Sequence, residues 1–208
     1  MLADFLATFT ALFSVTNPFG AMPVFVSLTR GYTHAAQRQQ ALKTCIYIVG
    51  VLVVFFFAGT FILKFFGLRL DDLRVAGGLL IIKSGLALLN PEGSERGGDR
   101  ISEEVEQEGI DKADISFTPM AMPMLSGPGA IAVTISMNGA SSSAIDQLMI
   151  VFSIVLVAAF CYLTLLFSPQ MVRYLGKGGM AALARMMGFI VLSIGVSFVV
   201  DGLLSLIG

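Results

Sequence analysis

The sequence predicts an all-α membrane protein: six transmembrane helices in two inverted three-helix repeats, with helices 1 and 4 broken near the midplane. Three observations lead there. The chain is 56% hydrophobic and 13% charged over 208 residues, whereas a soluble domain carries nearer a quarter of charged residues. Its apolar runs, most of about the 20 residues a bilayer needs, fall three to each side of one acidic stretch. Two of those runs, TNPFGAMPVFVS at 16–27 and LSGPGAIAVTIS at 125–136, carry proline and glycine where a membrane helix should be continuous.

Taken in order, residues 4–29 form the first span, interrupted near Asn17-Pro18-Phe19-Gly20. The N-terminus lacks a basic leader region and a small-residue cleavage site, so it reads as the start of this helix. Residues 44–63 are an uncharged second span, and 74–89 a shorter third. These make a first repeat, 1–90. Residues 91–114 hold nine acidic and three basic residues and almost no apolar ones, which predicts a solvated linker with a short surface helix at 102–108. The second repeat, 115–208, has a fourth span at 115–138, broken near Ser126-Gly127-Pro128-Gly129, a fifth at 146–167 and a sixth at 185–207.

The halves echo each other. Gly20-Ala21 falls on Gly129-Ala130, Val24 on Val133 and Ser27 on Ser136. Arg74-Val75-Ala76-Gly77 echoes Arg185-Met186-Met187-Gly188, each opening the third helix of its half. An odd number of spans per repeat inserts the second half upside down. Nine Lys and Arg lie in the first, third and fifth loops against three in the second and fourth. Positive-inside then puts the linker in the cytoplasm and both termini outside.

Paired Gly/Pro-interrupted segments mark transporter sites built from broken helices. A break exposes N–H groups on one side and carbonyls on the other, tolerated in a membrane only where protein or a wet cavity meets them. The N–H end favours a carboxylate and the carbonyl end a cation, so a small zwitterion fits between two breaks. Asn17, Pro18, Phe19, Gly20, Ser126, Gly127, Pro128 and Gly129 are the expected substrate-binding residues, with Asn17 and Ser126 also suited to helix capping. No Asp or Glu lies centrally in any span, which disfavours a charged substrate. Lys83 is the one deep cation, a functional hypothesis by default. Three coupling or structural roles stay open to it: snorkelling, pairing with Asp201 on the last helix, or facing a cavity. Arg74 and Arg185 suit anchoring or tying to carbonyl ends.

Other classes are disfavoured. A net charge of −1 offers no basic face for nucleic acid. Cys45 and Cys161 sit in apolar segments with no metal spacing and read as inert buried thiols. Met120, Met122 and Met124, without His or Cys nearby, suit adaptable packing better than copper. No metal or cofactor is expected. The single histidine, His34, lies in a loop. A Ser–Lys dyad of Lys83 with Ser126 or Ser84 is the one nucleophilic arrangement available, and no hydrolase elbow or phosphate loop accompanies it. An enzyme is not expected.

Four segments carry a family resemblance: TNPFGAMPVFVSLT at 16–29, FGLRLDDLRVAGGLLI at 66–81, FTPMAMPMLSGPGAIAVTI at 117–135 and RMMGFIVLSIGVSFVVDGL at 185–203. Through them the chain resembles the MarC family of bacterial inner-membrane proteins, which includes small neutral amino acid transporters. The resemblance covers nearly the whole chain. It implies six spans with broken first and fourth helices, and a ligand site at Asn17, Pro18, Gly20, Gly127, Pro128 and Gly129. The function expected is secondary transport of a small neutral amino acid such as glycine or alanine across the inner membrane, by alternating access. No nucleotide site is present, so the drive is a proton, a sodium ion or the substrate's own gradient. Export of other small metabolites or drugs, or a non-transporting accessory role, is the alternative.

Overall fold

The computed structural model describes residues 2–89, 114–140 and 143–207. The linker expected at 91–114, with its surface helix, therefore lies outside the described residues except for Asp114. The described chain is helical throughout: α1 (Leu2–Thr16), α2 (Pro18–Leu28), α3 (His34–Phe65), α4 (Leu70–Leu89), α5 (Ser116–Leu125), α6 (Pro128–Ala140), then a last helical run, Ala144–Ile207, interrupted at Gly176. Gly176 takes φ 63, ψ −175, a conformation open to glycine and costly for other residues. It divides the run into α7 (Ala144–Gly176) and α8 (Gly178–Leu206).

Local chemistry sets the ends. Thr33 caps α3 by accepting from Ala36 N at 3.2 Å. Past its other end, Gly67 (φ 70) lets Leu68 N reach Leu63 O at 2.9 Å and Gly67 N reach Lys64 O at 3.1 Å, the paired bonds of a left-handed glycine stop. Ser143 and Asp146 cap α7 reciprocally: Asp146 N donates to Ser143 Oγ, and Ser143 N to Asp146 Oδ2.

Four helices are long and apolar enough to cross a membrane singly: Phe5–Leu28, His34–Phe65, Ala144–Gly176 and Gly178–Leu206. The pair α5–α6, bent by 64°, makes a fifth candidate. That is one fewer than the six spans expected. α4 is the exception, long enough at 20 residues but carrying Asp71, Asp72, Arg74 and Lys83. Large apolar side chains cover the outer helix faces, among them Phe61 at 71% and Phe65 at 76% exposure. In water these would form patches too large for a monomer; in lipid they are solvated.

α4 and α8 pack antiparallel along a glycine seam. Gly78 and Gly85 sit seven residues apart on α4, and Gly188, Gly195 and Gly202 likewise on α8. A Cβ on Gly78 would lie 2.8 Å from Gly195 O, and one on Gly85 3.0 Å from Gly188 O. Small residues permit such backbone approach between membrane helices, and a seven-residue repeat keeps one seam facing its partner. Elsewhere α1 meets α7 through Phe5–Phe152 and Phe9–Phe160. α3 meets the α5–α6 pair through Tyr47–Phe117 and the Asn138 amide on Phe56 O. The described core, including Leu12, Phe25, Leu52, Phe56, Met120, Leu125 and Leu165, lies where these helices converge.

One ion pair ties the start of the second half to the first. Lys43 Nζ lies 2.6 Å from Asp114 Oδ2, and Asp114 also accepts from Ser116. The Lys43 hydrogen bond, then that of Ser116, holds the Asp114 carboxyl down to about 2. A carboxyl depressed on folding adds stability above its unfolded value, about 3.9, and loses it as pH falls through the folded one. The pair is half-exposed, so the effect is small. Lys43→Gln is expected to lower the thermal midpoint in detergent slightly at about pH 6, with the difference shrinking as pH falls toward about 2 and gone below it. A difference that persists there assigns the effect to packing of the lysine stem.

Candidate functional site

The two predicted interruptions differ in kind. At the first, one residue leaves the helix: Asn17 takes φ 45, ψ 63, a left-handed conformation asparagine tolerates better than most residues. Asn17 N still reaches Phe13 O at 3.0 Å and Gly20 N reaches Asn17 O at 3.1 Å. The Asn17 side chain accepts from Gly20 N at 3.3 Å, and Pro18 occupies the first position of α2, where no donor is needed. Phe19 sets its ring edge-on to Phe13. The chain thus continues as one apolar stretch, Phe5–Leu28. Asn17 acts as a cap, and Gly20 lies against it.

The second interruption is a bend. Thr118 (φ −117, ψ 121) and Met122 (φ −130, ψ 127) are extended, as residues before proline tend to be, and the peptide bonds from them to Pro119 and Pro123 are cis. Ser126 closes α5 through its N–H to Ala121 O at 2.7 Å, while its buried Oγ finds no protein partner. α6 then starts at Pro128.

A cavity of about 370 Å³ opens at this bend, at the lower end of the range for ligand pockets, about 300–1,000 Å³. Gly127, Pro128 and Gly129 form one wall and Lys83 and Ser84 another; Val15 of α1, Met124 of α5 and Val191 of α8 complete it. The structure therefore brings together Gly127, Pro128, Gly129 and Lys83 from the expected set. Asn17, Pro18, Phe19 and Gly20 are not among its lining residues; the first half reaches it through Val15 and α4. The first turn of α6 leaves N–H groups without helical acceptors and so gives this wall partial positive charge.

Asp201 lies elsewhere. With Arg74, Ser136 and Phe198 it lines a separate cavity of about 220 Å³. The antiparallel seam explains this: Gly202 lies against Asp71 and Arg74, whereas Gly188 lies against Gly85. Asp201 is thus displaced from Lys83 by about eleven residues, roughly 16 Å of helix. Arg74 ties α4 to α6, but through a hydroxyl rather than carbonyl ends: its Nε donates to Ser136 Oγ at 2.8 Å, and Nη1 lies 3.4 Å from Asp71 Oδ1. Its echo, Arg185, makes no such bond to Ser27, the echo of Ser136, or to any other described residue.

Sequence reasoning offered a cavity-facing role for Lys83 but missed the rest of the wall formed by α4. Leu80, Lys83, Ser84 and Ala87 all line the cavity, and their spacing is that of one helix face. It also missed three buried side-chain oxygens without a protein partner besides Ser126: Thr16 Oγ1, Gln40 Oε1 and Thr44 Oγ1. Leaving such an atom unpaired costs about 1–3 kcal/mol. Gln40 and Thr44 share one face of α3, and Thr16 directly precedes the first interruption. Among the described residues, no cluster of His, Cys, Asp and Glu is arranged to hold a metal.

Comparison with known proteins finds one family over nearly the whole chain. A family profile described as "MarC family integral membrane protein" matches residues 2–207. The UPF0056 membrane protein MJ1677 of Methanocaldococcus jannaschii is 34% identical, over 97% of each chain. The UPF0056 inner membrane protein MarC of Escherichia coli K12 is 33% identical, over 94% of this chain and 92% of its own. The UPF0056 membrane protein YvbG of Bacillus subtilis is 34% identical, over 98% and 95%. No solved structure gives a significant match.

Proposed function

Because the chain belongs to the MarC family of integral membrane proteins, we propose that it is a secondary transporter of small neutral amino acids, glycine- or alanine-like. The substrate binds at the bend between α5 and α6. The observation that carries this reading is the cavity there, walled by backbone of the Gly-Pro-Gly segment and by elements of both halves. Its volume suits a small solute rather than a large drug. The three relatives' names describe membrane proteins and no reaction, in keeping with a non-enzymatic role.

In this reading α4 is the sixth crossing, and the chain comprises two inverted three-helix halves. The pattern of helix neighbours supports it. Exchanging the halves turns the contact of α1 with α7 into that of α5–α6 with α3, and maps the α4–α8 seam onto itself. The Arg74–Ser136 tie has no counterpart at Arg185 and Ser27, as expected when one face of an alternating-access carrier is shut and the other is not. The Lys and Arg distribution puts both termini on the periplasmic side of a bacterial inner membrane. Coupling is to H⁺ or Na⁺.

Uptake of labelled glycine and alanine into proteoliposomes, under an imposed proton or sodium gradient, tests the reading. Saturable uptake above empty liposomes, raised by one gradient, is expected. Equal flux in empty and loaded liposomes under both gradients removes the amino acid assignment and favours an accessory role.

A further inference from the structure

We propose that Lys83 is the carboxylate-binding group of the transport site, so that a carboxylate, and not an ammonium, is what a ligand must carry to enter it. This rests on the reading of the bend as a substrate site. Among the described residues lining the cavity of about 370 Å³, Lys83 is the only ionisable one. It forms no ion pair or hydrogen bond with any described residue, and the register of the glycine seam keeps Asp201 away from it. The neighbouring hydroxyl is occupied: Ser84 Oγ donates to Leu80 O at 3.0 Å. Among the described lining residues, Lys83 therefore supplies the free side-chain donors of this cavity.

Depth gives that cation a task. Lys83 stands six residues before Leu89, the end of α4, roughly 9 Å of helix. An ammonium at such depth needs a counter-charge or water, and no described lining residue supplies an anion. A small monocarboxylate entering the cavity does. It is held there by a charge-assisted hydrogen bond, in a cavity that Gly127, Pro128 and Gly129 also line. Selection is then by the carboxylate: glycine and simple monocarboxylates such as propionate share the feature recognised, and glycinamide, an ammonium without a carboxylate, lacks it.

The experiment pairs competition with chemical labelling. In proteoliposomes, glycine uptake is measured against propionate and glycinamide for wild type, Lys83→Arg and Lys83→Met. In detergent, modification of Lys83 in the wild-type protein by trinitrobenzenesulfonate is tracked by peptide mass spectrometry, with the same three compounds as protectants. Propionate is expected to compete and glycinamide not to. Lys83→Met is expected to raise the half-saturating glycine concentration by roughly tenfold or more, and Lys83→Arg by much less. Glycine and propionate are expected to slow the modification. Unchanged uptake in Lys83→Met, competition by glycinamide as strong as that by propionate, or modification insensitive to every carboxylate overturns the proposal and leaves Lys83 a snorkelling residue. If wild type moves no amino acid yet propionate protects Lys83, the transport reading fails and the carboxylate site stands.

Discussion

Replacing Gly85 with alanine should destabilise the protein, although alanine is the better helix former. The propensity gain is about 0.8–1 kcal/mol. Against it stands a Cβ placed 2.7 Å from Leu192 N, 2.9 Å from Leu192 Cα and 3.0 Å from Gly188 O. These are backbone atoms of α8, and they give way only if the two helices separate. Overpacking costs typically about 1–3 kcal/mol, so the contact outweighs the propensity, and Gly85→Leu should leave little folded protein. Gly50 is the matched control, since nothing lies within 4 Å of a Cβ there. Thermal unfolding in detergent should place Gly85→Ala below wild type and Gly50→Ala at or above it. Equal midpoints for the two variants would mean that α4 and α8 do not meet along this seam.

Gly129→Leu should cut transport sharply while leaving the protein inserted and folded. A Cβ at Gly129 lies 2.9 Å from Ile81 Cγ1 and 3.3 Å from Val15 Cγ1. Those neighbours are side chains with some room to turn, so the backbone survives. The rest of the leucine has only the cavity to occupy. A steric cost of about 1–3 kcal/mol to the bound solute, at about 1.4 kcal/mol per tenfold, predicts uptake reduced on the order of tenfold to a hundredfold. Gly129→Ala should fall between. Gly178→Leu makes the same exchange where nothing lies within 4 Å and should transport normally. If Gly129→Leu transports as wild type does, the cavity at the bend is not the route.

The bend at α5–α6 was legible because its chemistry is local. Two prolines forbid regular helix at Thr118 and Met122, and Gly-Pro-Gly separates α5 from α6. The first interruption carries similar letters but a different outcome. Asn17 absorbs the irregularity in a single left-handed residue and caps α2 itself, so Phe5–Leu28 runs on as one stretch. Composition treats both segments alike, and only the hydrogen bonds distinguish them. The place of Lys83 was not legible. The sequence left snorkelling, pairing and cavity-facing roles open to it, and which face of α4 looks into the cavity depends on the rotation set by Gly78 and Gly85 against α8. The same seam separates Lys83 from Asp201. Arg74 and Ser136 each stood out through their echoes, while their contact belongs to tertiary structure.

Counterflow reaches the central claim most directly, because it requires neither a known coupling ion nor a known direction. Proteoliposomes loaded with unlabelled glycine are diluted into a trace of labelled glycine. A carrier with one site that alternates between faces should accumulate label transiently above equilibrium, then release it, and Gly129→Leu should show no overshoot. Label that only equilibrates, at the rate of empty liposomes and alike in both proteins, would contradict an alternating amino acid site at the bend.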